Sequence, residues 1–106
     1  RVIGPFEGCR RTQQAALAMI SDFSLYSTAF SAFPYERPEK VFVGASLDHA
    51  IWFHDIPKMD EWVLYDTYSP WSGGARGYNR GSLWSRDGKL IASTAQEGLM
   101  RIRRDR

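Results

Sequence analysis

The 106-residue chain has little of several features that mark particular classes of protein. It holds one cysteine, Cys9, so an internal disulfide is excluded and a reducing compartment is expected. No apolar run approaches the roughly 20 residues that a membrane-spanning helix needs, and we expect no membrane partner. There is no signal peptide, and the chain starts at Arg1 instead of methionine. We therefore expect one intracellular domain over residues 1–106, either processed, excised or part of a longer chain.

The net charge is also small, although charged residues are as frequent as in an ordinary soluble protein, and it is unevenly placed. The net charge is +2, but the last six residues hold four arginines and one aspartate, which leaves −1 for the remainder. A nucleic-acid-binding domain spreads basic residues over a face or a helix, with aromatic residues among them. The sequence therefore predicts no nucleic-acid partner. We expect the basic tail to be a solvated terminus, with contact to an anion as the alternative.

A helix is predicted over residues 12–25, with Thr12 as its N-cap, followed by an irregular connection through Phe33–Pro38. The helix is apolar from Ala15 to Ile20 without a break, so no side is reserved for water and burial on every side is expected. Asp22 lies near the end of this helix. A buried carboxylate is costly unless it is hydrogen-bonded or shifts its pKa, so Asp22 is either a structural hydrogen-bonding group or a chemical one.

The rest of the chain has the pattern of strands. Asp87-Gly88 is a strong hairpin signal, because glycine tolerates the positive φ of a tight turn, and residues 72–75 break the preceding pair in the same way. The fold class is therefore α+β, one long buried helix wrapped by a curled antiparallel sheet. Four strands are predicted: Val41–His54, Trp62–Ser69, Gly77–Ser85 and Lys89–Arg103.

The last strand carries a second polar group toward the helix. Strand alternation puts Gln96 on the inner face and its neighbour Glu97 on the outer face. A buried amide that satisfies backbone groups is the structural alternative for Gln96. The predicted inner face consists of Leu90, Ala92, Thr94, Gln96, Gly98, Met100 and Ile102.

Other polar combinations do not form a site by spacing alone. Ser46 near Asp48 and His49 suggests a hydrolase triad, but residues two apart in a strand point the same way, and a nucleophile elbow is absent. His49 and His54 are five residues apart and should lie on opposite faces, so no shared metal is expected. The stretch 72–77 lacks the ending of a P-loop and is predicted to be a hairpin connection. We predict no metal and no cofactor.

Several motifs, in order along nearly the whole chain, resemble the C-terminal half of the acyl-CoA thioesterase II family. They are Ser46–His54 (SLDHAIWFH), Glu61–Tyr65 (EWVLY) and Ala92–Gly98 (ASTAQEG). The resemblance continues through Ser21–Phe23 in the helix and Gly77–Gly88 in the penultimate strand. Separate motifs in register are more specific than any one of them.

The resemblance implies a hotdog fold that forms half of a double hotdog, so we expect an N-terminal hotdog repeat of the same protein as partner, and a homo-oligomer. It also implies hydrolysis of fatty acyl-CoA thioesters to free fatty acids and CoA. By motif, the catalytic group is Asp22, Ser46 and Gln96, which position and activate a water. Ser46 stands where other members carry threonine, and either residue offers a hydroxyl.

Two further expectations follow from the resemblance. This chain is the C-terminal piece of a longer polypeptide. Its compartment is peroxisomal or cytoplasmic, and the sequence, which ends at Asp105-Arg106, holds no Ser-Lys-Leu-type address that would decide between the two. A non-catalytic hotdog half that binds acyl-CoA or a partner repeat is the alternative function. A hotdog dehydratase is a weaker alternative, because it would need a histidine base and His49 is interpreted as mainly structural.

Overall fold

The computed structural model of the protein describes residues 1–4, 6–32 and 42–102. The side chains of Ala32, Phe42 and Ile102, the predicted connection through Phe33–Pro38 and the basic tail beyond Ile102 lie outside the described residues. The chain forms a helix α1 (Arg10–Leu25), a 3₁₀ helix η1 (Tyr26–Ala32) and five strands: β1 (Phe42–Ser46), β2 (Ala50–Phe53), β3 (Val63–Gly73), β4 (Arg76–Ser85) and β5 (Leu90–Ile102).

The strands form one antiparallel sheet in which β5 is the central element. The order is β1-β5-β4-β3, and β2 also pairs with β5 beyond the end of β1. The predicted helix followed by an antiparallel sheet is confirmed. The predicted hairpin at Asp87-Gly88 is also present, with a φ of 87° at Gly88 and a backbone bond of 3.0 Å from Gly88 N to Ser85 O.

The stretch predicted as one strand from Val41 to His54 is divided into β1 and β2. Ser46 pairs with Gly98 and Ala50 pairs with Ala95, so three residues, 47–49, lie opposite only Gln96 and Glu97. This is a β-bulge with one extra residue, and it reverses the side-chain alternation between the two strands. We call residues 47–49 the bulge. The bulge stays attached to β5 through one backbone bond, from Leu47 N to Glu97 O at 2.9 Å, and one side-chain bond, in which Asp48 Oδ1 accepts from Glu97 N at 2.7 Å.

Helix α1 packs through one face only, so the expectation of burial on every side is wrong. Every fourth residue is buried (Gln13, Leu17, Ser21 and Leu25). On the opposite side Met19 is 58% exposed and Phe23 is 74% exposed. The apolar run could not reveal this, because the sheet covers one side of the helix and alanine or methionine is tolerated on either side. Neither helix of the described residues is long and apolar enough to cross a membrane.

The helix also begins earlier than predicted. Cys9 is the N-cap residue, with extended backbone and no side-chain cap hydrogen bond, and Thr12 lies inside the first turn. The buried Gln13 side chain holds this end in place, because its Oε1 accepts from Met59 N at 2.9 Å. Tertiary contact therefore replaces the capping interaction that the sequence suggested.

The apolar core lies between the middle of α1 and the sheet. It consists of Leu17, Met59, Leu83, Ile91 and Ala92. Burial on β5 follows the predicted alternation from Ala92 to Met100. It departs at the start of the strand, where Ile91 is buried and Leu90 is only partly so. The register with β4 shifts between Leu83 and Trp84, and this irregularity turns Ile91 inward.

Candidate active site

Polar side chains take over from the apolar core where the middle of β5 faces the bulge. Four polar residues in this part of the molecule are buried: Ser21, Asn79, Thr94 and Gln96. Helix α1 approaches from one side and the bulge from another, so three elements meet around Gln96. Buried polar groups need partners, and the contacts of Gln96 define the site.

The single amide nitrogen of Gln96 contacts two acceptor atoms. Its Nε2 donates to Asp22 Oδ1 at 2.6 Å and contacts His49 Nδ1 at 3.1 Å. The two acceptor atoms lie 3.6 Å apart. The reverse amide orientation would bring Oε1 against the carboxylate, so both hydrogens of the amide point to these acceptors. The Oε1 atom is buried and has no hydrogen-bond partner among the described residues.

Asp22 lies at the border between this cluster and solvent. Its side chain is 50% exposed, so the expected buried carboxylate is corrected to a half-exposed one. The contacts that it makes with described side chains all use Oδ1. The other oxygen, Oδ2, is therefore available for a donor that approaches from the open side of the helix.

His49 is the residue that sequence reasoning missed. Its side chain is 18% exposed, and Nε2 lies 2.9 Å from Ser21 Oγ. Ser21 Oγ donates its own hydrogen to Ala18 O at 2.8 Å, so it accepts from the ring. His49 Nε2 therefore carries a hydrogen, and Nδ1 faces Gln96. The available signal was the polar Asp48-His49 pair in an otherwise apolar strand pattern.

A second hydrogen-bonded chain fixes the same turn of α1 to the sheet. Tyr65 Oη donates to Ser21 O at 2.9 Å, so the 2.8 Å contact with Thr94 Oγ1 is a bond that Tyr65 accepts. Burial raises the pKa of Tyr65 and the negative charge of Asp22 adds to the effect, whereas the Thr94 bond opposes it. The phenol thus stays protonated beside the site.

Asn79 extends the polar patch onto β4. It pairs with Gln96 across the two strands and is fully buried. Its Nδ2 makes a long contact of 3.5 Å with Tyr26 O, while Oδ1 has no partner among the described residues. Two neighbouring amides therefore both present an uncompensated oxygen inside the fold.

Ser46 lies close to this cluster in the sheet but does not contact it. It is the exposed last residue of β1, opposite Gly98, and so on the same side of the sheet as Gln96. Its hydroxyl makes no hydrogen bond with any of the described residues, Asp22 and Gln96 included. Of the three residues that the resemblance indicated, the fold brings Asp22 and Gln96 together and leaves Ser46 one strand away.

The remaining histidine points elsewhere. His54 Nε2 lies 2.9 Å from Ser93 Oγ, on the face of the sheet that is turned away from α1. Within residues 1–4, 6–32 and 42–102, no three histidine, cysteine or acidic side chains are grouped closely enough to hold a metal ion. A surface groove of about 680 Å³ lies near Lys58, Trp62 and Arg86, and its lining includes none of the residues around Gln96.

Comparison with known proteins places this geometry in a family context. Residues 3–100 match the family described as "Acyl-CoA thioesterase C-terminal domain". Over 97 residues the chain is 43% identical to acyl-coenzyme A thioesterase 8 of Mus musculus, covering 92% of this chain and 30% of that protein. It is 41% identical over 94 residues to acyl-CoA thioesterase 2 of Haemophilus influenzae, covering 87% of this chain and 32% of that protein. The chain thus spans about a third of the length of these curated relatives.

The fold comparison agrees. The crystal structure of an acyl-CoA thioesterase II, TesB2, from Mycobacterium marinum superposes with a TM-score of 0.84 at 38% identity, covering 94% of this chain and 38% of that chain. The helix packed on an antiparallel sheet is accordingly a hotdog fold, as the resemblance implied. The chain belongs to the acyl-CoA thioesterase C-terminal domain family.

Proposed function

We propose that the complete protein hydrolyses fatty acyl-CoA thioesters to free fatty acids and CoA, and that Asp22, Ser46 and Gln96 supply the catalytic group. The observation that carries the proposal is the 2.6 Å bond from Gln96 Nε2 to Asp22 Oδ1, which joins α1 to the middle of β5 beside the bulge. A half-exposed carboxylate held by a buried amide is suited to act on a water at the surface of the chain.

In this mechanism Asp22 is the general base. Its Oδ1 is held by Gln96, which leaves Oδ2 to accept a hydrogen from water. Positioned proton transfer of this kind contributes about 10²–10⁴-fold to a rate. The water oxygen attacks the thioester carbonyl carbon and its proton passes to Asp22. The carbon–sulfur bond then breaks, and the departing CoA sulfur takes up that proton.

Gln96 and Ser46 position the reactants. Gln96 positions the base, because its Nε2 donates to Asp22 Oδ1 at 2.6 Å and so directs Oδ2 toward the water. The Ser46 hydroxyl lies on the neighbouring strand and on the same side of the sheet. From there it holds the water or the carbonyl oxygen of the thioester. A covalent serine intermediate is not required.

The contacts of His49 argue against the dehydratase alternative. That reaction needs a histidine base with a free ring nitrogen. Here Nε2 donates to Ser21 and Nδ1 accepts from Gln96, so neither nitrogen is available to a substrate. Hydrolysis with Asp22 as base is therefore the function that this arrangement supports best.

We also propose that an N-terminal hotdog repeat of the same polypeptide covers this site and that the protein is a homo-oligomer. Asp22 is half exposed, and Met19 and Phe23 on the same helix expose apolar side chains. A fatty acyl chain needs apolar walls on more than one side, and relatives about three times as long have room for a second repeat. The peroxisomal or cytoplasmic location stays a prediction.

The test is thiol release from a long-chain acyl-CoA by the complete protein. We expect turnover by the unaltered protein and a fall of about 10²–10⁴-fold in Asp22→Asn, with circular dichroism unchanged. Full activity in Asp22→Asn would remove this residue from the mechanism. Acyl-CoA binding without any thiol release by the unaltered protein would instead support the non-catalytic alternative.

A further inference from the structure

We propose that His49 is a positioning residue that fixes the orientation of the Gln96 amide, and that Ser21 sets the tautomer this requires. The inference rests on the proposed function only for its kinetic consequence; the orientation itself can be measured independently. His49 touches neither the water nor the thioester in this scheme and acts through Gln96.

The orientation of the Gln96 amide depends on both of its acceptors. A terminal amide has two orientations that differ by half a turn, and they exchange its donor and acceptor ends. Asp22 alone engages one hydrogen of the amide. With His49 Nδ1 at 3.1 Å, the second hydrogen is engaged as well. Both acceptors must be lost before the amide can turn, so Oε1 is held in one direction.

The position of the proton on the His49 imidazole decides whether Nδ1 can accept from Gln96. If Nδ1 carried the hydrogen, it would oppose the N–H of Gln96, and two donors would face each other at 3.1 Å. Ser21 prevents this, because its Oγ is committed as a donor to Ala18 O and can only accept from Nε2–H. The Ser21 side chain is fully buried, so solvent does not compete for this bond. Ser21, a residue of α1, thereby determines which nitrogen of the His49 ring carries the proton.

No other contact among the described residues holds the Gln96 amide in this way. Asn79 lies opposite Gln96 on β4, but its Nδ2 is directed to Tyr26 O. The Thr94 hydroxyl donates to Tyr65 Oη, and the Tyr65 hydroxyl donates to Ser21 O. Among the described residues, His49 is thus the one group besides Asp22 that makes a hydrogen bond with the Gln96 side chain.

Two variants in the complete protein separate the two ring nitrogens. His49→Asn keeps an acceptor near the position of Nδ1, while His49→Gln keeps a polar group near Nε2 and loses the acceptor. We expect kcat for a long-chain acyl-CoA to fall by about 10–100-fold in His49→Gln, the range seen when supporting hydrogen bonds are removed, and by much less in His49→Asn. His54→Asn, on the other face of the sheet, is the matched control and should leave kcat unchanged.

A double substitution tests whether His49 acts through Gln96. In a Gln96→Leu background, His49→Gln should cause little further loss, because residues that act as a unit are not additive. Additive losses would overturn the inference. The inference would also be overturned if His49→Gln were as active as the His54→Asn control while Gln96→Leu had lost activity.

A spectroscopic readout keeps the inference separate from the proposed function. In ¹⁵N-histidine NMR of the unaltered protein we expect the Nε2–H tautomer for His49; the Nδ1–H tautomer would overturn the proposal even if the protein is fully active. If the unaltered protein releases no thiol, the proposed function fails while the tautomer still decides the assignment of His49. The same measurement decides it if a His49 variant does not fold.

Discussion

Asp48 Oδ1 accepts a hydrogen bond from Glu97 N at 2.7 Å, where a strand carbonyl would stand in an unbroken ladder. Asp48 immediately precedes His49 and Glu97 immediately follows Gln96, so this bond joins the two strands directly beside the candidate site. The exposed carboxylate therefore fixes the shape of the bulge from its outer side. It does so without taking part in the chemistry proposed for Asp22.

Replacing Asp48 should loosen the bulge. Asp48→Ala leaves Glu97 N without its acceptor, and we expect the free energy of unfolding to fall by about 1 kcal/mol. The displaced His49 should lower kcat by roughly tenfold, since small misplacements near a site are costly. Asp48→Asn keeps an oxygen acceptor and is the matched control. Urea denaturation and thiol release measure the two effects, and equal behaviour of both variants would contradict this role.

Gln96→Glu should alter the pH dependence of turnover as well as its rate. The substitution brings a second carboxyl group to within hydrogen-bond distance of Asp22 Oδ1, where the amide now lies at 2.6 Å. Two carboxylates this close cannot both ionise without cost, so one proton is retained to higher pH. We expect the acid limb of the kcat/KM profile to move to higher pH. Gln96→Leu should be slow without such a shift, and an unmoved limb in Gln96→Glu would count against the contact.

Tyr65→Phe should change the stability of the protein at alkaline pH. Burial raises the pKa of Tyr65 above its ordinary value of 10.0. The native state therefore holds this proton more tightly than the unfolded state, and the resulting stability is complete below pH 10 and is lost as the pH rises through the native value. Urea denaturation from about pH 9 upward should show a steeper loss in the unaltered protein than in Tyr65→Phe. Burial also raises the pKa of Tyr26, so a smaller slope should remain; identical slopes would contradict the prediction.

Gly98→Ala should destabilise the fold through Tyr26. The Tyr26 ring lies across Gly98, and its hydroxyl reaches past Gly44 to donate to Leu99 O at 2.5 Å. A methyl group on Gly98 would overlap the ring, and overpacking of this kind costs about 1–3 kcal/mol. In a Tyr26→Ala background the same substitution should cost much less, because the overlapping ring is gone. Equal losses of unfolding free energy in both backgrounds would refute the contact.

Much of the fold could be predicted because its signals are local. The hairpin at Asp87-Gly88 follows from backbone φ preferences, and the inner face of β5 follows from alternation between Ala92 and Met100. The face of α1 that packs could not be predicted in the same way. A run of small and apolar residues fits a helix covered on one side as well as one covered on all sides, and only the position of the sheet decides between them.

The site was predictable only in part, for a related reason. Asp22 and Gln96 come together because each faces the space between helix and sheet, which periodicity indicates. His49 was interpreted as mainly structural, and alternation through one unbroken strand would indeed place it on the face opposite Ser46. The bulge reverses that alternation, so His49 turns to the side of Gln96. No local propensity marks where one additional residue enters a strand.

The length of the bulge has a consequence for any comparison of homologous chains. With two residues instead of three between β1 and β2, the spacer would match Gln96 and Glu97 one for one, and both strands would keep their present register with β5. β1 and β2 would then continue each other as one regular strand, without the bend and added twist that an extra residue gives. A one-residue gap at 47–49 is therefore not equivalent to a shortened loop. In an alignment of homologous chains it marks the loss of the bulge beside Gln96.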